Sequence, residues 1–548
     1  SSFLLSNALN VATAGKYPYS RPESGRSGYE LAGETVNEAR VYDFYQRQAD
    51  YYMANPDKVP AIIPAFPGLD GGLHGHWGKH NQNGHNDGRW NDGDTGEHFA
   101  HVIKGTKGLN IEKGVCVKLG ADHLLSTCFD PQTLSYRAVW SDGWLTFGPF
   151  RWGSSRGATI QGKPWFQIHQ ANLPNGGEYL GLRRFGRRVV FEYQIGSFQI
   201  QDEPWASKNS FFRRIDFLNQ SDKATIPCRF ADESFSVSFI ENQGIKSIRW
   251  ENGEVIAQDI QKNASVIIRI SRYAEDPDTA SVIAHLENDR KIQKRWNEIL
   301  KIPGKLGKTK DGSSYTVDTL TVPYDNPYKT VMQLTSIAFL PNGDALVASL
   351  LGDIWLVKGI NQDLSQLTWQ RYATGFNQPV GIHIDEEGVF VLDRCQISIL
   401  HDSNNDEEVD YYEKYANDFG GFNRSHTHTF GLHRTGDGAF YFIQLTRLFR
   451  TGTNRKTEAI AYGVRNCMGV GGSKDYFWAA PQEGTWTPAS AIIEVNQGEH
   501  YGSSQEKENS SPPLCYVPRG VDNSTGGMVE ITSNKWGPFK GSHIGLSY

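Results

Sequence analysis

Residues 337–357 read IAFLPNGDALVASLLGDIWLV: an apolar run, a Pro-Asn-Gly-Asp turn, then two more apolar runs parted by Gly-Asp. Short apolar runs punctuated by such turns read as paired strands. The same unit returns at 381–400 (GIHIDEEGVFVLDRCQISIL) and at 429–444 (TFGLHRTGDGAFYFIQ). Its turn glycines, Gly343, Gly388 and Gly438, stand 45 and 50 residues apart. Strand units recurring at roughly 40–50 residues mark a β-propeller, with one four-stranded blade per period. A second sandwich would account for the strands but not for the spacing. From Val331 to Tyr548 there is room for about five such units, and closing a ring usually takes six or so. The ring is then completed by upstream strands, by further residues, or by another chain.

Working upstream, VCVKLG (115–120), LSYRAVW (134–140), RVVFEYQIG (188–196), SFSVSFI (234–240) and SVIIRI (265–270) also read as strands. Turns rich in Asn, Gly and Asp separate them, so residues 65–278 are expected to form an antiparallel, sandwich-like domain. Two stretches without Gly or Pro, 34–55 and 279–300, read as helices. The expected order is a helical and extended segment (1–64), the sandwich-like domain (65–278), a helical linker (279–310) and a propeller (311–548). The fold class is mainly β.

The 548 residues carry a net charge of −6 and no basic block. A nucleic-acid partner, which needs a cationic face, is therefore not expected. No stretch approaches ~18 consecutive apolar residues, so no transmembrane segment is expected. The start, Ser1-Ser2-Phe3-Leu4-Leu5, reads as a mature N-terminus after signal removal and points to the periplasm or outside. Six cysteines form no CxxC and no CxxCH, which argues against a zinc knuckle or haem attachment on this chain. Cys116 and Cys128 flank a turn at Ala121-Asp122 and could face each other, as a disulfide or as two buried thiols. There is no GxSxG, no P-loop and no GxGxxG opening a helix.

Four groups of residues could carry chemistry. Asp402, Asn404, Asp406, Asp410 and Glu413 space oxygen ligands along a turning loop, as a Ca²⁺ site does. Glu407 stands where an EF-hand loop has glycine, and the rival reading is a solvated acidic turn. His426 and His428, two apart, would share one face of a strand and could act as base and orienter, or hydrogen-bond at a blade edge. Asp393-Arg394 and Arg465-Asn466 end comparable strand units, where arginines grip anions or pair structurally. Glu483 and Trp486 place a carboxylate beside an indole able to stack on a sugar. His74, His76 and His80, in a Gly-rich loop followed by His98 and His101, keep a second metal site open.

LTSIAFLPNGDALVASLLGDIWLVKG, GFNQPVGIHIDEEGVFVLDRCQISILHDSNNDEEVDYYE, YGVRNCMGVGG and EGTWTPASAIIEVNQGEHYG resemble the sorbosone-dehydrogenase-like propellers, distant relatives of soluble PQQ-dependent glucose dehydrogenases. GLDGGLHGHWGKHN and GVCVKLGADHLLSTCFDPQTLSYRAVWSDGWLTF resemble the uncharacterised domain that precedes such propellers, often in chains that continue into a c-type cytochrome module. The resemblance implies an oxidoreductase acting on a carbohydrate or related alcohol and passing electrons to a cytochrome partner. His428, or His426, would be the base, with Asp393 and Arg394 beside it. Arg465, Asn466, Asn377, Gln378, Glu483, Trp486 and Arg519 would bind PQQ or substrate, and Ca²⁺ would sit in the 402–413 loop as a structural ion. The full quinone-binding set is not matched. A non-redox glycan lyase or hydrolase, a carbohydrate-binding module and a structural subunit of a larger assembly remain the rival readings.

Overall fold

Strands dominate the structure, and their side chains alternate as a half-buried pleat requires. In Arg188–Ile195, Val189, Phe191, Tyr193 and Ile195 point inward. The computed structural model describes residues 51, 54–55, 88–148, 156–230, 234–308, 316–361, 363–421, 428–465, 467–482, 490–502, 511–517 and 525–546. The expected helix at 34–55 lies outside them apart from residues of its last turn. The chain separates into two compact units. One holds Gly68–Lys308 with Asp318–Ser425, the other His426–Tyr548 with Ser1–Pro67 and Thr309–Val317.

In the first unit a seven-stranded sheet runs in the order Leu145–Phe147, Ala158–Ile160, His98–Lys104, Asn110–Leu119, Leu125–Asp130, Ser135–Ser141, Lys163–Gln167. It packs on a second sheet whose first six strands are Ser221–Pro227, Glu254–Ser271, Ser210–Phe217, Phe198–Ala206, Arg188–Ile195 and Gly177–Phe185. Val117, Leu119, Phe129 and Val139 from one sheet meet Phe191, Tyr193, Ile215 and Ile268 from the other in one apolar core. Phe129 stacks on Phe191 with ring centres 4.2 Å apart. Each such ring removed from water is worth roughly 1.5–3 kcal/mol. All five strands read upstream in the sequence are present, in this sandwich.

Blades follow. Leu334–Phe339, Ala345–Ser349, Ile354–Lys358 and Thr368–Ala373 form one antiparallel meander, and Gly381–Asp385, Gly388–Leu392, Ile397–His401 and Tyr411–Ala416 form the next. Their first strands lie side by side: Ser336 Oγ accepts from Ile382 N at 3.2 Å. The fourth strand of the second blade does not end the sheet. Tyr411, Tyr412 and Glu413 pair with Arg183, Leu182 and Gly181, so sandwich sheet and blade form one eleven-stranded sheet. Gly181 has φ +150° and a Cβ there would stand 2.4 Å from Tyr412 O, which is why glycine occupies the seam.

The second unit contains two more four-stranded meanders. They are Thr429–Arg434, Phe440–Gln444, Arg447–Thr451, Thr457–Tyr462, and then Gly469–Gly472, Phe477–Ala480, Ser490–Glu494, Cys515–Val517. A two-stranded sheet, Met528–Glu530 with His543–Gly545, comes last. First strands again adjoin, and the glycines of GVGG permit it: a Cβ on Gly469 would stand 2.2 Å from Gly526 O, and one on Gly471 2.6 Å from Met528 O. The protein is thus mainly β, a sandwich-like domain followed by propeller-type blades. Gly343, Gly388 and Gly438 each lie at the turn between a blade's first two strands, as the spacing predicts.

The helix expected over 279–300 stops at Glu287. Tertiary contacts override helical propensity beyond it. Arg290 reaches Glu203 at 2.9 Å and Asp216 at 2.6 Å, and Trp296 is fully buried.

Cys116 and Cys128 are register partners on adjacent strands, both fully buried and both free thiols. Of the six cysteines only Cys515 is exposed. Ellman's reagent is therefore expected to titrate one thiol in the native protein and all six in denaturant. Rapid reaction of a second native thiol would contradict the packing around the buried five.

Candidate functional site

In a four-stranded meander the turn between strands two and three and the connection leaving strand four lie at the same end. Asn377 and Gln378 sit in the connection between the first two blades, and Asp393 and Arg394 in the second blade's turn. The structure joins them. Arg394 N donates to Asn377 O at 3.0 Å, and Asn377 N donates to Asp393 Oδ2 at 3.3 Å. Asp393 Oδ1 accepts from the amides of Cys395 and Gln396, each at 2.9 Å. All four residues are buried.

Burial sets the electrostatics. It raises the Asp393 carboxyl to about 6, against the pull of the amides of Cys395, Asn377 and Gln396. It lowers the Arg394 guanidinium to about 9, with Cys395 and Asp393 opposing. The Asn377 carbonyl oxygen Oδ1 is buried with no hydrogen-bond partner among the described residues.

Two residues join this cluster from outside the blades. Strand His98–Lys104 of the sandwich lies along the connection 374–378, with Ala100 N donating to Gly375 O at 2.7 Å. His98 stands so close to Gly375 that a Cβ there would meet its Nε2 at 2.5 Å, and its ring sits edge-on to Tyr412. A cavity of about 40 Å³ lies here, lined by His98, Lys113, Asp393, Cys395 and Tyr412 among others. That is room for about a water. His101 accepts from Val102 N at 2.8 Å through Nδ1, which places its proton on Nε2, and Nε2 has no partner among the described residues. Burial depresses both imidazoles to about 3, aided by the charge of Arg184 at His98 and of Arg394 at His101. Both are neutral at working pH. The histidine-rich reading of 74–101 flagged them without a role, because their partners are remote in sequence.

In the second unit, His428 is buried and edge-on to Phe430, with ring centres 5.6 Å apart. Arg465, at the same stage of the following blade connection, is half-buried, and its carbonyl accepts from Gln482 N. His426, Asn466, Glu483, Trp486, Arg519, His74, His76 and His80 lie outside the described residues.

Hydrogen bonds run through the acidic loop. It connects strands three and four, at the opposite end of the blade from Arg394. Asp402 accepts from the amides of Asp406 and Glu407, Asp410 from Ser403 N and Oγ, and Asn404 from Asp406 N. Glu413 lies outside the loop, in the blade's last strand, 3.0 Å from His401 Nε2. Among the described residues no three His, Cys, Asp or Glu converge as metal ligands. The side-chain oxygens of Asp402, Asn404, Asp406 and Asp410, four of the five expected calcium ligands, accept from loop amides in a run of turns. Glu408, which that reading passed over, is the buried anchor. It accepts from Arg184 Nη2 at 2.7 Å and from the amides of Arg295 and Trp296 at 2.8 and 2.7 Å.

No helix among the described residues is long and apolar enough to cross a membrane. Residues 127–202, within the sandwich, match a family of domains of unknown function, DUF6797. No curated protein matches. Among solved structures, a putative oxidoreductase (glucose dehydrogenase) from Thermus thermophilus is 15% identical over 36% of this chain and 73% of its own, with a TM-score of 0.29. A glucose dehydrogenase is 13% identical over 39% and 80%, with a TM-score of 0.31. The extracellular domain of a putative hybrid two-component system from B. thetaiotaomicron is 11% identical over 75% and 54%, with a TM-score of 0.23. Scores this low do not carry an argument, and the blades described above rest on strand pairing alone.

Proposed function

We propose that the chain is a propeller-type oxidoreductase acting on a carbohydrate or related alcohol, with the Arg394 end of the blades as its site and a cytochrome-type protein as electron acceptor. The observation that carries this reading is the joined cluster of Asn377, Asp393 and Arg394. A buried guanidinium beside a buried carboxyl, both shifted by desolvation, marks a candidate functional site. Sequence resemblance to the sugar-dehydrogenase propellers supports it further.

In kind, the planar guanidinium of Arg394 suits the carboxylates of a quinone such as PQQ, but the 40 Å³ beside the cluster admits about a water, so the quinone itself would lie outside that space. Such a quinone would supply the acceptor for the substrate's hydride. The chain's own work is then positioning. Arg394 would orient a carboxylate, and Asp393 would hold the Arg394 turn through its three amide contacts. No cluster of described acidic side chains fits a calcium companion to the quinone, so none is drawn into the scheme.

The test is reconstitution with PQQ, with and without Ca²⁺, followed by absorption and dye-linked oxidation of aldoses. Arg394→Ala is expected to weaken PQQ binding roughly tenfold to a hundredfold, the loss of one charge-assisted contact. No quinone binding and no dye reduction by the native chain would end the redox reading. Release of an unsaturated uronate in the same assay would replace it with a lyase.

A further inference from the structure

We propose that the sandwich domain carries a binding site for a neutral pyranose sugar, in the cleft between its two sheets. The cleft has a volume of about 170 Å³ and is bounded by Tyr136, Ile168, Pro174, Pro227, Arg229 and Glu254 among others. At a liquid share of about 30 Å³ per water, that is the bulk of roughly five or six waters, about one sugar ring.

Its walls are held from behind by a buried polar network. Tyr136 OH donates to Asp202 at 3.1 Å, and Asp202 also accepts from Tyr193 OH at 2.9 Å and from Arg213 Nη2 at 2.5 Å. Arg213 then donates to Pro227 O at 2.7 Å, fixing one wall. Arg137, itself buried and paired with Asp130, donates to the carbonyls of Ile168 and His169, each at 2.7 Å, fixing the other. At the rim, Pro227 and Glu254 are register partners, and the Arg229 stem lies over Gly253. A Cβ on Gly253, at φ +79°, would stand 2.6 Å from Arg229 Cγ. Such preorganisation lowers the entropy lost on binding.

The lining selects the ligand class. One guanidinium and one carboxylate cancel in charge yet supply several donors and acceptors, which suits hydroxyl groups better than an anion or a cation. Tyr136, Ile168 and the two prolines offer apolar surface to the C–H face of a ring. This site is separate from the Arg394 cluster and does not depend on the redox proposal.

Calorimetric titration with D-glucose, D-galactose and N-acetyl-D-glucosamine tests it, on wild type, on Arg229→Ala combined with Glu254→Gln, and on Arg394→Ala. We expect at least one sugar to bind wild type and at least tenfold more weakly to the double variant, with Arg394→Ala losing less than the double variant does. Arg229 is exposed and Glu254 half-buried, so the double variant should keep the wild-type unfolding midpoint, which the same samples check. The idea fails if no sugar binds, if the double variant binds as wild type does, or if only Arg394→Ala loses binding. The last outcome would move the sugar to the propeller.

Discussion

Lowering the pH from 7.5 to 5 is expected to destabilise the first unit by about 3 kcal/mol, net of an opposing carboxyl. His98 and His101 have native values near 3, and an unfolded imidazole titrates near 6.5. Between those values the unfolded chain binds protons that the native one refuses, so stability falls as pH falls through 6.5. At pH 5 each histidine contributes about 2 kcal/mol of loss. Asp393 works the other way. Its native value of about 6 lies above the ordinary carboxylate range, so between 3.8 and about 6 the native state holds the extra proton. That returns about 1.4 kcal/mol at pH 5. His123, lowered to about 4, and His285, also lowered, add to the acid loss. Urea titrations at the two pH values measure the difference. His101→Phe, which places a ring among Phe99 and Phe147, should remove about 2 kcal/mol of the pH dependence. A pH-independent midpoint, or an unchanged slope in that variant, would mean these imidazoles are not buried as described.

The second large effect belongs to Glu408. Glu408→Ala is expected to lose roughly 3–5 kcal/mol, because buried Arg184 and the amides of Arg295 and Trp296 are left uncompensated. Glu408→Gln keeps an acceptor but not the charge facing Arg184, and should fall between alanine and wild type. Asp406→Ala, in the same loop, exchanges only short-range turn contacts and should stay within about 1 kcal/mol of wild type. Thermal unfolding of the three variants, with and without Ca²⁺, checks the order. Equal losses for Glu408→Ala and Asp406→Ala would refute the anchor. A Ca²⁺-dependent rise in wild-type stability that Asp402→Asn and Asp410→Asn abolish would place the metal in this loop.

The blades were legible because their information is local: alternating side chains and a glycine turn recur within each period. The pairing of Asn377 with the Asp393–Arg394 turn could be anticipated for the same reason, since a meander brings those two connections to one end. What could not be read depends on distant partners. Residues 288–299 carry helical propensity, yet Glu203, Asp216 and Glu408 hold them out of a helix. The ligand-like spacing of 402–413 was real, but local amides took up the oxygens. His98 and His101 looked like part of a loose histidine-rich loop, and only the strand pairing His98↔Val117 and His101↔Gly114 reveals them as interior groups.

The hydrogen-bonded seam between Gly181–Arg183 and Tyr411–Glu413 ties two architectures into a single mechanical body. A protease or a cloning boundary that parted them would leave two raw β-edges, each a template for sticking to its neighbours. Grafting this front module onto a different propeller would therefore mean transplanting the second blade along with it.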